Sequence, residues 1–217
     1  VVTKPNVFGN DMVLELQVSR YGGKVYPVNP QYDEVEGWQC YASLADLPEA
    51  PDLVVLGVGN NQLEAQLKAA IEIGAGGVVI FGSVLLAVDN SANPLKERIR
   101  KMAQDADMPI VGGNCMGFYN VDHWFRAFPF HRPYELQEGG VTLIAQSGSV
   151  LTALLWNDQK LRFNLAISPG QELVTNVADY MDYALEQPTT RVIALFLETV
   201  RDPEKFIAAL QLSLIHI

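Results

Sequence analysis

The sequence is short of positive charge. It has 15 Lys and Arg residues against 25 Asp and Glu residues among 217, so its formal net charge is −10. A chain with so few cations presents no broad basic surface, which disfavours nucleic acids and anionic membranes as partners. An anionic ligand would therefore need a local positive site, such as the amino end of a helix.

Cysteine and long apolar runs are also scarce. The two cysteines, Cys40 and Cys115, form neither a C-x-x-C pair nor a disulfide framework, which is typical of a reducing compartment. No apolar run approaches the roughly 18 residues of a membrane span, and no signal peptide is visible. We therefore expect a cytoplasmic protein with no membrane partner and no metal site.

The sequence does contain a regular alternation of strand and helix patterns. Continuous apolar runs are typical of strands covered on both faces, and apolar residues at helical spacing separate them. This order predicts an α/β fold with a doubly wound parallel sheet. The predicted strands of the first half are 24–30, 52–59, 78–83 and 108–113, and the predicted helices are 63–71 and 94–106.

Residues 116–138 interrupt the alternation. They are rich in aromatic residues and prolines but have neither helical nor strand periodicity, which predicts an irregular linker. The alternation then resumes with three strands, a number that suggests an incomplete second domain. The predicted strands of this half are 141–146, 163–168 and 191–198, and the predicted helices are 150–160, 174–186 and 203–211. Because the chain starts without methionine and ends in an apolar tail, we expect a fragment.

Ser147 lies in a Gln-Ser-Gly-Ser turn that follows an apolar strand. A nucleophile elbow would need glycines at the positions of Ala145 and Ser149, and a serine nucleophile needs a base within reach. The three histidines lie in the predicted linker or in the C-terminal tail. The turn therefore favours a helix N-cap, which is compatible with binding an anion on free backbone N–H groups.

Two other strand ends leave alternatives open. Cys115 is either a buried small residue or part of a ligand site, since glycines surround it. Glu198 is either a solvated residue or a carboxylate that orients a histidine or a cation. An NAD site is disfavoured because Asn29 and Pro30 stand where such a site usually has an acidic residue.

Five segments, in this order, together resemble the CoA-binding half of the acyl-CoA synthetases that form a nucleoside diphosphate. This superfamily includes the ADP-forming acetate–CoA ligases and the succinyl-CoA synthetase α subunit. The segments are GGKVYPVNPQYDEVEG, YASLADLPEAPDLVVLGV, GGNCMGFYN, VTLIAQSGSV and DYALEQPTTRVIALFLETVRDPEKF. The resemblance implies a Rossmann-like CoA-binding domain over 1–135, truncated at its N-terminus, and a flavodoxin-like domain over 136–217, truncated at its C-terminus.

The resemblance also implies an activity. Family members interconvert acyl-CoA, ADP and phosphate with a carboxylic acid, CoA and ATP through an acyl phosphate and a phosphohistidine. It implies CoA or acyl-CoA as the ligand, with a small carboxylic acid or acyl phosphate as substrate. The phosphorylated histidine and the ATP-grasp domain or subunit, with ATP or ADP and Mg, are expected outside this chain, so we expect it to be inactive alone. An oligomer is left open.

The family motifs assign roles to particular residues. Asn114 and Glu198 are implied as catalytic, Glu198 as the partner of the phosphohistidine. The serine-glycine turn of Ser147, Gly148 and Ser149 is implied as the phosphate site. The residues implied to bind CoA are Lys4, Pro5, Asn6 and Gly9 in the loop after the first strand, Val28, Asn29 and Pro30, Gly57, Val58 and Gly59, and Cys115.

Two alternatives remain at this point. A CoA-sensing module of a protein acetyltransferase carries a similar region, and the histidine loop that would distinguish it lies outside the chain. An NAD-binding Rossmann protein is the second alternative. The acyl specificity is not carried over, because residues 168–172 differ from the usual family pattern.

Overall fold

Two mainly parallel sheets with flanking helices form the framework of the chain. The computed structural model describes residues 8–130, 136–156 and 161–215. The helices are α1 (Phe8–Val18), α2 (Leu63–Glu72), α3 (Leu95–Asp105), α4 (Gly148–Leu155), α5 (Val177–Glu186) and α6 (Pro203–Ile215), with a 3-10 helix at Leu44–Asp46. The strands are β1 (Glu34–Val35), β2 (Trp38–Gln39), β3 (Val54–Leu56), β4 (Val78–Ile80), β5 (Ile110–Gly112), β6 (Gly117–Asn120), β7 (Phe125–Ala127), β8 (Glu138–Ala145), β9 (Phe163–Ser168) and β10 (Val192–Phe196).

The first sheet has the order β3-β4-β5 and is parallel throughout. Its strands lie within the predicted runs but are shorter, and α2 and α3 form the predicted crossovers. Val54 and Leu56 pack against α2, whereas Val55 packs near Met12 of α1. Since successive strand residues point to opposite faces, α1 and α2 cover opposite faces of this sheet.

The predicted strand 24–30 is wrong. Within it the structure has a single parallel bridge, between Val28 and Tyr41. Asn29 N–H donates to Tyr41 O at 2.8 Å, and Tyr41 N–H donates to Pro27 O at 2.9 Å. Pro27 and Pro30 have no N–H to donate, so this extended segment cannot form a continuous ladder of hydrogen bonds.

The second sheet has five strands in the order β10-β8-β9-β6-β7. Strands β8, β9 and β10 are parallel, β6 is antiparallel to β9, and β7 is antiparallel to β6. The predictions of an irregular linker over 116–138 and of a three-stranded sheet are therefore wrong for 117–127. This hairpin belongs to residues that the predicted boundary at 135 assigns to the first domain.

The sequence did not predict the hairpin of β6 and β7, because this hairpin depends on a distant partner. Strand β6, from Gly117 to Asn120, has only four residues, so its alternating pattern is too short to recognise in the sequence. Arg126 is a charged residue within β7, yet it is 4% exposed, since its guanidinium lies 3.1 Å from the carboxylate of the fully buried Glu15 in α1. A charge that is buried by a partner 111 residues away carries no local strand signal.

The loop after β9 joins the two sheets. Leu173 N–H donates to Gly112 O at 2.9 Å, and Gln171 N–H donates to Gly113 O at 2.7 Å. Leu173 is also buried in the hydrophobic core of the first sheet. These contacts bring the carboxyl end of β5 next to the carboxyl end of β9. None of the helices in the described ranges is long and apolar enough to cross a membrane.

Candidate functional site

Four loops from different strands meet at the carboxyl ends of the two sheets. Gln146 N–H donates to Phe196 O at 3.0 Å, which joins the ends of β8 and β10. A Cβ atom on Gly148 would lie 2.6 Å from Cγ of Met116, so the loops after β5 and β8 are in close contact. We call this region the strand-end junction; it comprises residues 112–116, 146–149, 168–172 and 197–199. In an open parallel sheet, ligands bind at the carboxyl ends of the strands.

Ser147 is the N-cap of α4, as the sequence favoured. Its Oγ accepts the N–H of Val150 at 3.4 Å, and its backbone oxygen accepts the N–H of Leu151 at 3.0 Å. The N–H groups of Gly148 and Ser149, at the start of the helix, have no acceptor within it. Together with the positive end of the helix dipole, these groups suit an anion.

Among the residues that the structure describes, no histidine lies beside Ser147 to act as its base. His123 lies in the turn between β6 and β7, and its N–H donates to the side chain of Asn120. Because β6 runs antiparallel to β9, pairing Gly117 with Ser168 and Asn120 with Leu165, this turn lies toward the amino end of β9. His123 therefore lies at the opposite end of the strands from Ser147. His131 and His216 lie outside the described residues.

The side chain of Gln146 connects three parts of the junction. Its Nε2 donates to Glu172 Oε1 at 2.9 Å and to Thr199 O at 2.8 Å. Its Oε1 accepts the backbone N–H groups of Glu198 at 2.6 Å and Thr199 at 2.9 Å. The primary amide thus uses both N–H groups and both lone pairs, which fixes the backbone after β10 relative to β8.

Glu172 is a buried carboxyl at this junction. It is 5% exposed, and its Oε2 has no hydrogen-bond partner among the described residues. Burial raises the pKa of Glu172 above its ordinary value, although the hydrogen bond from Gln146 and the charge of Arg201 act in the opposite direction. A carboxyl of this kind favours its protonated form more than an exposed glutamate does.

Asn114 has an exposed side chain on a tightly held backbone. Its φ angle is 51°, in the left-handed region, and its N–H donates to Gly82 O at 2.7 Å. Gly170, at φ 61°, packs against the same loop, because a Cβ atom there would lie 2.3 Å from Gly113 O. The close approach requires glycine at position 170. The Asn114 amide is therefore displayed from a fixed backbone and can donate a hydrogen bond to a ligand.

Cys115 lies at the junction, but its thiol is turned inward. The residue is 6% exposed, and Sγ donates to Ile80 O at 3.3 Å. Burial raises the pKa of Cys115 to about 12, so the thiol is protonated at neutral pH. The side chain of Cys115 is therefore buried. The predicted contact of Cys115 with CoA remains a prediction.

Glu198 has an exposed side chain and a fixed backbone. Of the two alternatives for Glu198, its carboxylate is therefore solvated in this structure. Gln146 holds the N–H of Glu198, so the carboxylate projects from a defined point beside the start of α4. A cation or a protonated histidine could approach it from solvent. The residues predicted as catalytic and phosphate-binding, Asn114, Glu198 and Ser147 to Ser149, thus belong to one junction.

Most residues predicted to bind CoA lie at a second location. Val28, Asn29 and Pro30, with Gly57 and Val58, line one cavity of about 870 Å³. Gly59 follows directly, and its oxygen accepts the N–H of Gln62 at 2.9 Å. Lys4, Pro5 and Asn6 lie outside the described residues. Gly9 was predicted in a loop, but it lies in the first turn of α1, a helix that the sequence did not predict.

Sequence reasoning assigned no role to Gln146, Glu172 or Met116. Gln146 comes directly after a buried apolar strand, and this position was a signal of a structural role. A half-buried amide there needs hydrogen-bond partners. Its partners lie 26 and 53 residues away, so their identity could not be read locally. Among the described residues, no group of three or more His, Cys, Asp or Glu side chains could hold a metal ion.

Comparison with known protein families gives two adjacent matches. Residues 1–120 match the CoA binding domain model, and residues 138–213 match the succinyl-CoA ligase like flavodoxin domain model. These matches confirm the predicted fold class, a Rossmann-like parallel sheet followed by a flavodoxin-like α/β domain. They also confirm the resemblance drawn from the five segments. The exact boundary at 135 remains a prediction.

Individual relatives extend the comparison. The chain is 32% identical to the ADP-forming acetate–CoA ligase of Methanocaldococcus jannaschii over 195 residues, which cover 89% of this chain and 27% of the relative. It is 29% identical to the α subunit of ADP-forming acetate–CoA ligase II of Pyrococcus furiosus, covering 86% of this chain and 40% of the subunit.

A solved structure agrees over the whole length of the chain. This is the dinucleotide forming acetyl-coenzyme A synthetase 1 of Ca. Korarchaeum cryptofilum in complex with phosphate and ADP. The TM-score is 0.89 at 26% identity, with 99% of this chain and 46% of that chain covered. The chain therefore spans less than half the length of each of these three relatives.

Proposed function

Because the chain belongs to the CoA binding domain family and continues into a succinyl-CoA ligase like flavodoxin domain, we propose that it is the CoA-binding and ligase-like part of an ADP-forming acyl-CoA synthetase. The observation that carries this proposal is the strand-end junction. There an exposed amide, a helix N-terminus and an exposed carboxylate come together from three different strands.

The start of α4 would hold phosphate. The N–H groups of Gly148 and Ser149 would donate to its oxygens, and the Ser147 hydroxyl would add a contact when it turns from its cap. The net charge of −10 makes such a local site necessary, because the 25 acidic residues outnumber the 15 basic ones and repel an anion.

The chemical step joins this phosphate to the acyl group of acyl-CoA. A phosphate oxygen attacks the thioester carbonyl carbon, the new C–O bond forms, and the C–S bond breaks so that CoA leaves as its thiolate. The products are an acyl phosphate and CoA. The Asn114 amide would donate to the carbonyl oxygen, where negative charge develops in the transition state.

Glu198 would act in the next step. A histidine nitrogen would attack the phosphorus of the acyl phosphate, the bond between phosphorus and the acyl oxygen would break, and the carboxylic acid would leave as its carboxylate. The carboxylate of Glu198 would orient that histidine and stabilise its positive charge. We assign the histidine and the ATP-grasp domain or subunit to parts of the parent protein outside these residues. ATP or ADP, with Mg, would bind there.

The CoA molecule would lie along the rim of the cavity. Val28, Asn29 and Pro30 would be on one side of it, and Gly57, Val58 and Gly59 on the other. These residues are neutral, and all of them except Gly59 line the cavity. Lys4, Pro5, Asn6 and Gly9 remain proposed for the phosphates of CoA. The acyl group would then reach Asn114 at the end of β5.

Calorimetric titration of the chain with CoA tests the ligand assignment. We expect binding, with NAD at the same concentration giving no heat. Gly57→Trp would place a large ring at the proposed groove, where a Cβ atom has nothing within 4 Å, and should weaken CoA binding at least tenfold. Glu186→Trp, at the exposed end of α5, is the matched control and should bind as the parent chain does.

Two outcomes would contradict the proposal. One is CoA binding that is equal in the Gly57→Trp variant and in the parent chain. The other is preferential binding of NAD. Binding of CoA with no turnover in the complete parent protein, supplied with acetate, ATP and Mg, would instead favour the CoA-sensing alternative.

A further inference from the structure

The position of the Glu198 carboxylate depends on the backbone from which it projects. Among the described residues this exposed side chain makes no hydrogen bond and no ion pair. Its backbone N–H, in contrast, donates to Oε1 of Gln146 at 2.6 Å, and the N–H of Thr199 donates to the same oxygen at 2.9 Å. The side chain of Gln146 therefore determines where the carboxylate of Glu198 begins.

Gln146 is itself held at its backbone and at the other end of its amide. Its backbone N–H donates to Phe196 O at 3.0 Å. Its Nε2 donates to Thr199 O at 2.8 Å and to Glu172 Oε1 at 2.9 Å. The amide is thus a fixed connection between the end of β8 and the backbone of Glu198.

The partners of Gln146 select one of the two orientations of its amide. Two backbone N–H groups face Oε1, whereas a backbone oxygen and a carboxyl oxygen face Nε2. Exchange of the two ends would bring donors against donors and acceptors against acceptors, so all four hydrogen bonds would be lost. The carboxyl of Glu172 can accept its bond in either protonation state, because both states have an acceptor oxygen. The orientation therefore does not require Glu172 to be charged.

Glu172 is a fixed partner for this amide. It is 5% exposed, so its carboxyl is held within the protein. The residues on either side of it, Gln171 and Leu173, donate their backbone N–H groups to the oxygens of Gly113 and Gly112 at 2.7 and 2.9 Å. The loop that carries the carboxyl is therefore anchored to the end of β5.

The amide of Gln146 lies beside the proposed phosphate site. Ser147 follows it directly in the chain and is the N-cap of α4, with Oγ accepting the N–H of Val150 at 3.4 Å. The residue that holds the backbone of Glu198 is thus the neighbour of the residue that begins the helix. One side chain therefore sets the separation between the start of α4 and the base of the Glu198 carboxylate.

On the basis of the function proposed above, we propose that Gln146 is a positioning residue for phosphoryl transfer. It places the carboxylate of Glu198 relative to the phosphate at the start of α4, and Glu172 fixes the orientation of its amide. A histidine nitrogen must approach the phosphorus in line with the bond to the acyl oxygen that breaks. A displacement of about 1 Å can slow such a step about 100-fold, so the carboxylate that orients the histidine needs a fixed base.

Single-turnover phosphorylation of the complete parent protein tests the inference. The probe is radiolabelled acetyl phosphate, added without CoA or nucleotide, and labelled phosphohistidine is followed in time. Gln146→Met has a side chain of similar length without an amide, and it should slow the reaction about 10- to 100-fold at saturating probe. The half-saturating probe concentration should stay within about twofold, because Gln146 does not touch the phosphate through its side chain. Gln104→Met, at an exposed position of α3, is the matched control and should react at the parent rate.

A double-mutant cycle shows whether Gln146 acts through Glu198. Glu198→Gln alone should slow phosphorylation. In that background Gln146→Met should slow it by no more than about twofold further, because the carboxylate that it positions is already gone. The same amide can be disturbed from its other end: Glu172→Leu removes the acceptor of Nε2, and Glu172→Gln, which keeps an acceptor oxygen, should react at least about fivefold faster than Glu172→Leu. Circular dichroism at the assay temperature shows that each variant is folded.

Three results would overturn the inference. The first is phosphorylation of Gln146→Met at the parent rate while Glu198→Gln is slow, which leaves the proposed function intact. The second is equal slowing by Gln146→Met with and without the Glu198 carboxylate, which would mean a general structural role. The third is Glu172→Gln that is as slow as Glu172→Leu. Failure of the proposed function gives a different result, since Glu198→Gln would then react at the parent rate or the unchanged protein would form no phosphohistidine.

Discussion

Gln146 donates from Nε2 to Oε1 of Glu172 at 2.9 Å and thereby joins the end of β8 to the loop that follows β9. The same amide holds two backbone N–H groups after β10 through its Oε1. A single uncharged side chain thus organises three loops of the strand-end junction. An amide suits this position because it has donors and acceptors in equal number.

The first prediction concerns this amide. Gln146→Glu removes its two donors and places a second carboxylate beside Glu172, so we expect a loss of about 1–3 kcal/mol in the free energy of unfolding at pH 7. Urea denaturation measures the loss. Gln104→Glu, at an exposed position of α3, is the matched control and should change stability little. Equal stability of the two variants would contradict the role given to Gln146.

The second prediction concerns pH. Burial raises the pKa of Glu172, so the folded state binds this proton more tightly than the unfolded state. The stabilisation that the Glu172 carboxyl gives to the fold is therefore complete below its pKa in the unfolded state. It is lost as the pH rises through its pKa in the folded state. Glu172→Gln should remove this dependence, so the variant should gain stability relative to the parent chain as the pH rises above 4.5.

Urea denaturation at several pH values separates this effect from others. The carboxyls of Glu49 and Asp89 have lowered pKa values because of hydrogen bonds, so they destabilise the fold as the pH falls, in both proteins alike. The difference between variant and parent isolates Glu172. A difference that stays constant with pH, or that shrinks as the pH rises, would contradict the raised pKa.

The third prediction concerns the buried ion pair of Glu15 and Arg126. Both side chains are almost fully buried, with Oε2 and the guanidinium 3.1 Å apart. Glu15→Ala would leave a buried unpaired cation and should cost about 3–5 kcal/mol. The double variant Glu15→Leu with Arg126→Met should recover most of that loss. Thermal or urea unfolding measures both, and a double variant no more stable than Glu15→Ala would contradict the pairing.

The fourth prediction concerns Gly170. A Cβ atom there would lie 2.3 Å from Gly113 O, so Gly170→Ala must shift the contact between the two sheets. Gly37→Ala is the matched control, because Gly37 also has a positive φ angle but has open space around it. The control should cost about 1 kcal/mol through backbone strain alone. We expect Gly170→Ala to cost clearly more in urea denaturation; equal costs would mean that the loops do not pack as described.

The fifth prediction separates ligand binding from phosphoryl transfer. Glu198→Gln keeps the backbone N–H that Gln146 holds and removes only an exposed charge. We therefore expect CoA affinity in calorimetry to stay within twofold of the parent chain. In the complete protein the same change should slow phosphorylation of the histidine. A large loss of CoA affinity would place Glu198 in the CoA groove instead.

The parts of this fold that could be predicted are those with a local cause. The run around Val78 to Ile80 is buried on both faces, and Leu95, Ile99 and Ala103 recur on one side of α3, so both patterns are visible within a few residues. The cap at Ser147 is equally local, since its acceptor and donor are three residues apart.

The parts that could not be predicted depend on distant partners. Arg126 belongs to a strand only because Glu15 neutralises it from α1, and Gln146 has a defined orientation only because Glu172 and Thr199 lie beside it. The inward direction of the Cys115 thiol depends on Ile80, in another strand. In each case the physical rule is simple, but the two groups that it joins are far apart in the sequence.

Strand β10 bears on how this chain behaves in concentrated solution. Among the described residues its backbone pairs with β8 alone, and its first and last side chains, Val192 and Phe196, are exposed by 55% and 44%. Uncharged apolar strands with an open edge are templates for pairing between molecules. The open edge of β10 therefore favours association between molecules of this chain, and Val192→Lys is a single change that would oppose it.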